Sequence, residues 1–156
     1  MRIDPVDQRI IASLVADARS SYAEIGARVS LSAPAVKRRV DRLRAAGVIK
    51  GFTAVVDPRS VGWNTEAFVE LFCTGKATPA QIGQAIRRHP EVIGAYSVSG
   101  QADALVHLRA ADMGHLEQSL ERLRAEPFVT STRSMIVLSR LLDGPPTGQP
   151  LTVPER

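Results

Sequence analysis

The stretch SYAEIGARVSLSAPAVKRRVDRLRAAGVI, Ser21 to Ile49, decides how the N-terminal part of the chain is read. Ser21 followed by Glu24 is a capping box, in which the Ser oxygen and the Glu carboxylate satisfy free N–H groups at a helix start. The spacing predicts a helix to about Val29, with Ile25 and Val29 on one face. Leu31 falls in a turn, Ser32 stands where it can cap a second helix, and Pro34 is tolerated in that helix's first turn. Val36, Val40 and Leu43 recur at i, i+4, i+7, so one stripe of the second helix faces a core. Its other faces hold Lys37, Arg38, Arg39, Asp41, Arg42 and Arg44. Gly47 follows, where a left-handed helix stop belongs. Two short helices, the second basic and facing solvent, form a helix-turn-helix, a motif that lays its second helix in the major groove of DNA. Complementing the helix dipole accounts for Arg42 and Arg44 as well as DNA does. It accounts less well for Lys37 and Arg38, which sit nearer the N-terminal half. Arg39, beside the apolar stripe, is equally an anchor for the turn.

Working outward, Asp4-Pro5 opens an earlier helix with an acidic cap and Pro at its first position. Val6, Ile10 and Leu14 line one face of it, flanked by Ile3 and Ile11, so three helices share a small core. After Gly47, Val48 to Lys50, Gly51 and Phe52 to Val56 predict a short hairpin or extended wing. Lys50 at its tip is as readily a solvated lysine as a phosphate contact. Asp57-Pro58-Arg59-Ser60-Val61-Gly62 is turn chemistry and marks a boundary.

Beyond it Ala67 to Phe72 reads as a strand. Thr78-Pro79-Ala80-Gln81 is a second capping box, opening a helix with Ile82 and Ile86 in line and ending near His89-Pro90. Val92 to Ser99 predicts a strand, Gly100 a tight turn, and Ala104 to Leu108 the next strand. Asp112 caps a helix with Leu116, Leu120 and Leu123 on one face, stopped by Pro127. Val129 to Leu142 supplies a last strand. The order β-α-β-β-α-β is the ferredoxin-like, split-βαβ arrangement. The chain is therefore read as α+β. Residues 1–50 form a winged-helix-like helix-turn-helix domain, 51–62 a linker, 63–142 the βαββαβ domain, and 143–156 a Pro- and Gly-rich flexible tail.

Charge divides at the same place. Of 156 residues, the first 62 carry eleven Lys+Arg against six Asp+Glu, whereas the remainder carries nine against ten. The basic excess thus lies wholly with the helical part, as expected for a polyanion-binding domain joined to one with another task. The single cysteine, Cys73, forms no internal disulfide and suits a reducing cytoplasm. No apolar run approaches the ~20 residues of a membrane span, and the start is not signal-like. Catalysis needs convergent titratable groups. His89, His107 and His115 match no zinc spacing, Cys73 has no nearby partner, and Ser99-Gly100 lacks a nucleophile elbow. The expectation is a cytoplasmic non-enzyme with no metal and no cofactor.

Two segments, SYAEIGARVSLSAPAVKRRVDRLRAAGVIKGFTAVVDP and YSVSGQADALVHL, in this order and at this separation, resemble the Lrp/AsnC, or feast/famine, regulators. The resemblance spans roughly Pro5 to Leu142. It implies a bacterial or archaeal, nucleoid-associated transcriptional regulator with a RAM/ACT-like C-terminal domain. Its implied partners are double-stranded DNA, an amino-acid effector, and further copies of itself, as dimers through the C-terminal sheets that assemble into octamers. On the DNA side the residues are Ser32, Ala33, Pro34, Lys37 and Arg38 in the groove, with Arg39 and Arg42 as phosphate contacts or structural anchors. The effector site implied by the resemblance lies between subunits, at a Gly-x-x-Asp turn and a facing strand. Here those are Ser99, Gly100, Gln101, Ala102 and Asp103, with Thr132 and Ser134 flanking Arg133. Glycine lets backbone N–H groups approach a carboxylate, and Asp103 can hold an α-ammonium. The chain departs from the family pattern at four positions. Gly26 and Ser30 stand where Ala and Gly are usual, and Gln101 and Ala104 where an acidic and an aromatic residue are common. Two other classes fit the residues: an architectural DNA-binding protein needing no ligand, and a ligand-binding module whose N-terminal helices serve protein contacts. The basic N-terminal part weighs against the second.

Overall fold

In the computed structural model, which describes residues 2–75 and 77–141, three helices start at complete capping boxes. These are α1 (Pro5–Ala16), boxed by Asp4 and Asp7, α2 (Tyr22–Val29), boxed by Ser21 and Glu24, and α4 (Pro79–Ile86), boxed by Thr78 and Gln81. Each box satisfies two N–H groups that a helix start otherwise leaves open. Helix α3 (Ala33–Ala45) differs, because Ser32 occupies the cap position but its side chain makes no capping hydrogen bond. The chain folds as two compact units that divide at Ala54/Val55.

In the N-terminal unit α1, α2 and α3 share a core of Ile10, Leu14, Ile25, Val29, Val36 and Val40, with Val6, Tyr22, Leu31 and Ile49 packed against it. Helix α3 ends at Gly47, whose φ of +71° lets the Val48 and Ile49 N–H groups turn back to donate to the Leu43 carbonyl. The expected wing over Val48–Val56 is not formed: residues 50–57 belong to no strand. Val55 is 89% exposed. A two-stranded hairpin is marginal in water without a third strand or a helix to cover it, and none of the described elements does so.

The C-terminal unit is a four-stranded antiparallel sheet in the order β2-β3-β1-β4. Its strands are β1 (Thr65–Cys73), β2 (Val92–Ser97), β3 (Ala104–Ala110) and β4 (Val129–Ile136), with α5 (Met113–Arg124) preceding the last. Ala67, Val69 and Leu71 of β1 and Ala104, Val106 and Leu108 of β3 alternate onto one face, where Ile82 and Ile86 of α4 and Leu116 and Leu123 of α5 complete the core. The alternation therefore sends Glu66, Phe68, Glu70 and Phe72 to the other face, with Leu105 and His107 beside them. No described helix packs there. Exposed Tyr96 on β2 and Met135 on β4 extend this face to both edges. Two strands are shorter than expected. β2 stops at Ser97, opposite Ala104, because the chain then enters the turn, and β4 stops at Ile136, opposite Ala67, two residues short of the start of β1. The 143–156 tail, expected as a flexible arm, lies outside the described residues.

Candidate functional site

The turn of the helix-turn-helix depends on two residues that have to be read together. Ser30 closes α2 in the left-handed region, at φ +60°, the only described non-glycine residue with positive φ. For an L-residue that conformation costs roughly 1 kcal/mol. It brings the Leu31 carbonyl back onto α2 at Gly26, where an added Cβ would lie 2.3 Å from the carbonyl oxygen. Gly26 is thus required by the approach of the turn, and an alanine there clashes unless the turn moves.

Helix α3 presents its basic residues in two different states. On the flank toward α1, Arg39 Nη1 donates to Asp4 Oδ2 at 2.6 Å and to Asp7 Oδ1 at 2.8 Å. Arg42 Nη2 donates to Asp7 Oδ1 at 3.0 Å and to Oδ2 at 2.8 Å. The Asp7 carboxylate is fully buried. The Arg39 guanidinium holds the Asp4 carboxyl below the usual range, aided by the Asp7 N–H. On the outward face the exposed Lys37 pairs with Asp41 at 2.7 Å, one turn along. Arg38 and Arg44, both exposed, have no carboxylate partner among the described residues. Ser32 and Pro34 are exposed and Ala33 half-buried at the start of the helix. Of the seven expected DNA-contacting residues, five therefore share the open N-terminal half, while Arg39 and Arg42 are engaged by α1. Sequence reading missed Asp7. Its signal was present as Asp4-x-x-Asp7, the spacing of a capping box, but that pattern does not tell which carboxylate faces inward.

At the other site Gly100, with φ +128°, makes a turn that only glycine adopts without strain. The Asp103 N–H donates to the Leu71 carbonyl at 2.9 Å, and Asp103 Oδ2 accepts the Cys73 N–H at 2.7 Å. One carboxylate oxygen is thereby used to hold the turn on β1. Burial, with a smaller contribution from the Asp103 charge, raises the Cys73 thiol pKa. Asp103 stands on the rim of a cleft of about 90 Å³ whose lining includes Ile82, Gly83, Ile86, Ala95 and Tyr96. Ser99 and Gln101 are exposed and Ala102 is buried. Thr132 and Ser134 are placed elsewhere in this chain. They pair with Leu71 and Val69 on the far side of β1 from β3, about 10 Å away by strand spacing. Thr132 Oγ1 there accepts the Arg124 Nε–H at 2.9 Å. Within one chain the two halves of the expected effector site do not meet.

Each histidine is held by a carboxylate: His89 Nε2 lies 2.9 Å from Glu126, His115 Nε2 lies 2.9 Å from Glu91, and His107 Nε2 contacts Glu66. Burial raises the Glu91 carboxyl pKa, but hydrogen bonds from His115 and Arg122 outweigh it and leave the group below its usual range. Among the described residues no group of three His, Cys, Asp or Glu could hold a metal ion.

Residues 66–147 match the Lrp/AsnC ligand binding domain, and residues 3–44 match the AsnC-type helix-turn-helix domain. The chain belongs to the Lrp/AsnC family. The HTH-type transcriptional regulator Rv2324 of Mycobacterium tuberculosis is 53% identical over 145 residues, covering 93% of this chain and 98% of that protein. A solved structure of the feast or famine regulatory protein Rv3291c of M. tuberculosis, complexed with L-methionine, superposes with a TM-score of 0.84. Identity is 32%, over 91% of this chain and 96% of that one. The NMB0573/L-Met complex from Neisseria meningitidis gives a TM-score of 0.84 at 27% identity, covering 97% and 98%. As an Lrp/AsnC protein, the chain is a DNA-binding transcriptional regulator in a family of non-enzymes.

Proposed function

We propose that this Lrp/AsnC protein is a sequence-specific regulator whose assembly or DNA affinity responds to an amino acid or a related small molecule. The N-terminal unit serves as the output and the C-terminal unit as the sensor, in a cytoplasmic, nucleoid-bound homo-oligomer built on dimers that assemble into octamers. Ser32, Ala33, Pro34, Lys37 and Arg38 meet the major groove, two copies on a roughly palindromic site. The effector's ammonium pairs with the Asp103 oxygen left over by Cys73, its carboxylate takes the N–H groups around Gly100, and Thr132 and Ser134 come from a neighbouring subunit. The observation that supports this reading is the separation of Asp103 from Thr132 and Ser134 across β1, which fits a site shared between two subunits. The methionine complexes of the two relatives make L-methionine the first ligand to try. An effector acts by binding one assembly, or one DNA-bound state, more tightly than another.

The test is titration calorimetry with the twenty amino acids, methionine first, alongside mobility shifts at two salt concentrations. A saturable heat that disappears in Asp103→Asn is the expected result. If no amino acid gives heat while DNA binding persists, the architectural reading replaces this one. If DNA binding is absent even at low salt, the assignment of α3 is wrong.

A further inference from the structure

We infer that Asp7 is a positioning residue for DNA binding: it withdraws Arg39 and Arg42 from the pool of phosphate-binding charges and fixes which face of α3 is left free to read DNA. Both of its oxygens are occupied. Oδ1 accepts from Arg39 and Arg42, and Oδ2 accepts from Arg42 and from the Asp4 N–H at 3.2 Å. Asp4 closes the ring by accepting the Asp7 N–H at 2.7 Å and the Arg39 guanidinium. Two carboxylates and two guanidiniums sum to zero formal charge, so the cluster condenses little phosphate from a duplex. A guanidinium that left for DNA would strand a fully buried carboxylate short of a donor, so the exchange is unfavourable. Arg42 is half-exposed, yet its Nη2 is fixed inward by both Asp7 oxygens.

Arg39 and Arg42 sit three residues apart and therefore on one flank of α3, whereas Arg38 lies opposite the buried Val36–Val40–Leu43 stripe. With the α1 flank neutralised, the free positive charge of the helix falls on Arg38 and Arg44. The clamp thus sets both the rotation of α3 against α1 and the count of ions released on binding.

This inference rests on α3 being the helix that meets DNA, and the experiment separates the two. Affinity of the full chain is measured by fluorescence anisotropy across a salt series. The probes are the tightest duplex recovered from a random-sequence library and a scrambled duplex of equal length. Each phosphate neutralised contributes about 0.9 to the slope of log affinity against log salt. Arg38→Gln is expected to flatten the slope by about that amount per bound subunit, and Arg42→Gln to leave it unchanged. Asp7→Asn releases both arginines. It is expected to steepen the slope by about one to two phosphate contacts per subunit and to tighten the scrambled duplex relative to the selected one. A carboxylate with only a structural role would weaken both duplexes at constant slope, and that result in folded Asp7→Asn overturns the inference. So does an Arg42→Gln slope that flattens as Arg38→Gln does, which decides the matter even if Asp7→Asn fails to fold. If neither arginine changes the slope, the assignment of α3 fails instead.

Discussion

The two units of this protein cover their apolar surface in opposite ways, and the difference shows which of them is finished within one chain. The N-terminal unit encloses one carboxylate, Asp7, surrounds it with its own arginines, and has its apolar residues packed among three helices. The C-terminal unit closes a core on one side of its sheet only. On the other side Phe68, Phe72, Tyr96 and Met135 stand among Glu66, Glu70 and His107, with Glu70 paired to Arg133 of the neighbouring strand at 3.3 Å. An apolar face left uncovered is what a subunit interface covers. One unit is completed by its own chain; the other is arranged for company.

The comparison breaks most readily at Asp7. Asp7→Ala leaves two guanidiniums facing an empty acceptor site and is expected to destabilise the N-terminal unit by about 3 kcal/mol, at the low end for a broken buried pair because both arginines keep some contact with water. Urea unfolding followed by far-ultraviolet dichroism measures it. Gly26→Ala should cost about 2 kcal/mol by the same measurement, since overpacking against a backbone carbonyl cannot be relieved by a side-chain rotation. For the C-terminal unit, Met135→Lys places a charge on the uncovered face. It should weaken self-association at least about tenfold, or ~1.4 kcal/mol, as read by sedimentation, with the unfolding midpoint of the N-terminal unit unchanged.

Acid sharpens the contrast further. Glu91 is buried against His115 and Arg122, and its carboxyl pKa is lowered. A group whose pKa is lower folded than unfolded stabilises the fold above the ordinary carboxylate range and loses that contribution as pH falls through the lowered value. Glu91→Gln should therefore flatten the acid limb of the stability profile of the C-terminal unit below about pH 4.5, while leaving that of the N-terminal unit in place. The smallest effect is a gain. Ser30→Gly removes the left-handed strain and should stabilise the helix-turn-helix by up to about 1 kcal/mol.

Most of the fold was legible in the sequence because its helix starts are written locally. Ser21–Glu24 and Thr78–Gln81 act over three residues, and the periodicity of Leu116, Leu120 and Leu123 needs no information from the rest of the chain. What failed was long-range. β4 ends opposite Ala67, two residues inside β1, which strand propensity does not encode, and the wing was expected from residues with good strand propensity but no neighbour to pair with. At the site, the outward basic face of α3 followed from helical spacing. For Arg39 and Arg42 it left phosphate contact and structural anchor open, because the carboxylate that engages them depends on the angle at which α1 crosses α3. The distance between Asp103 and Thr132 did not follow, because it depends on β1 inserting between β3 and β4.

Cys73 offers a use for one of these details. It is the sole thiol of the chain, and its backbone N–H is the group that grips Asp103. Its ionisation is held back first by burial and second by the negative charge of that carboxylate. Any cation that settles on Asp103 cancels the second contribution and raises the thiolate fraction, which is the species that alkylates. The rate of iodoacetamide labelling at fixed pH is thus a built-in clock for occupancy of the turn. It needs no dye and no mutation.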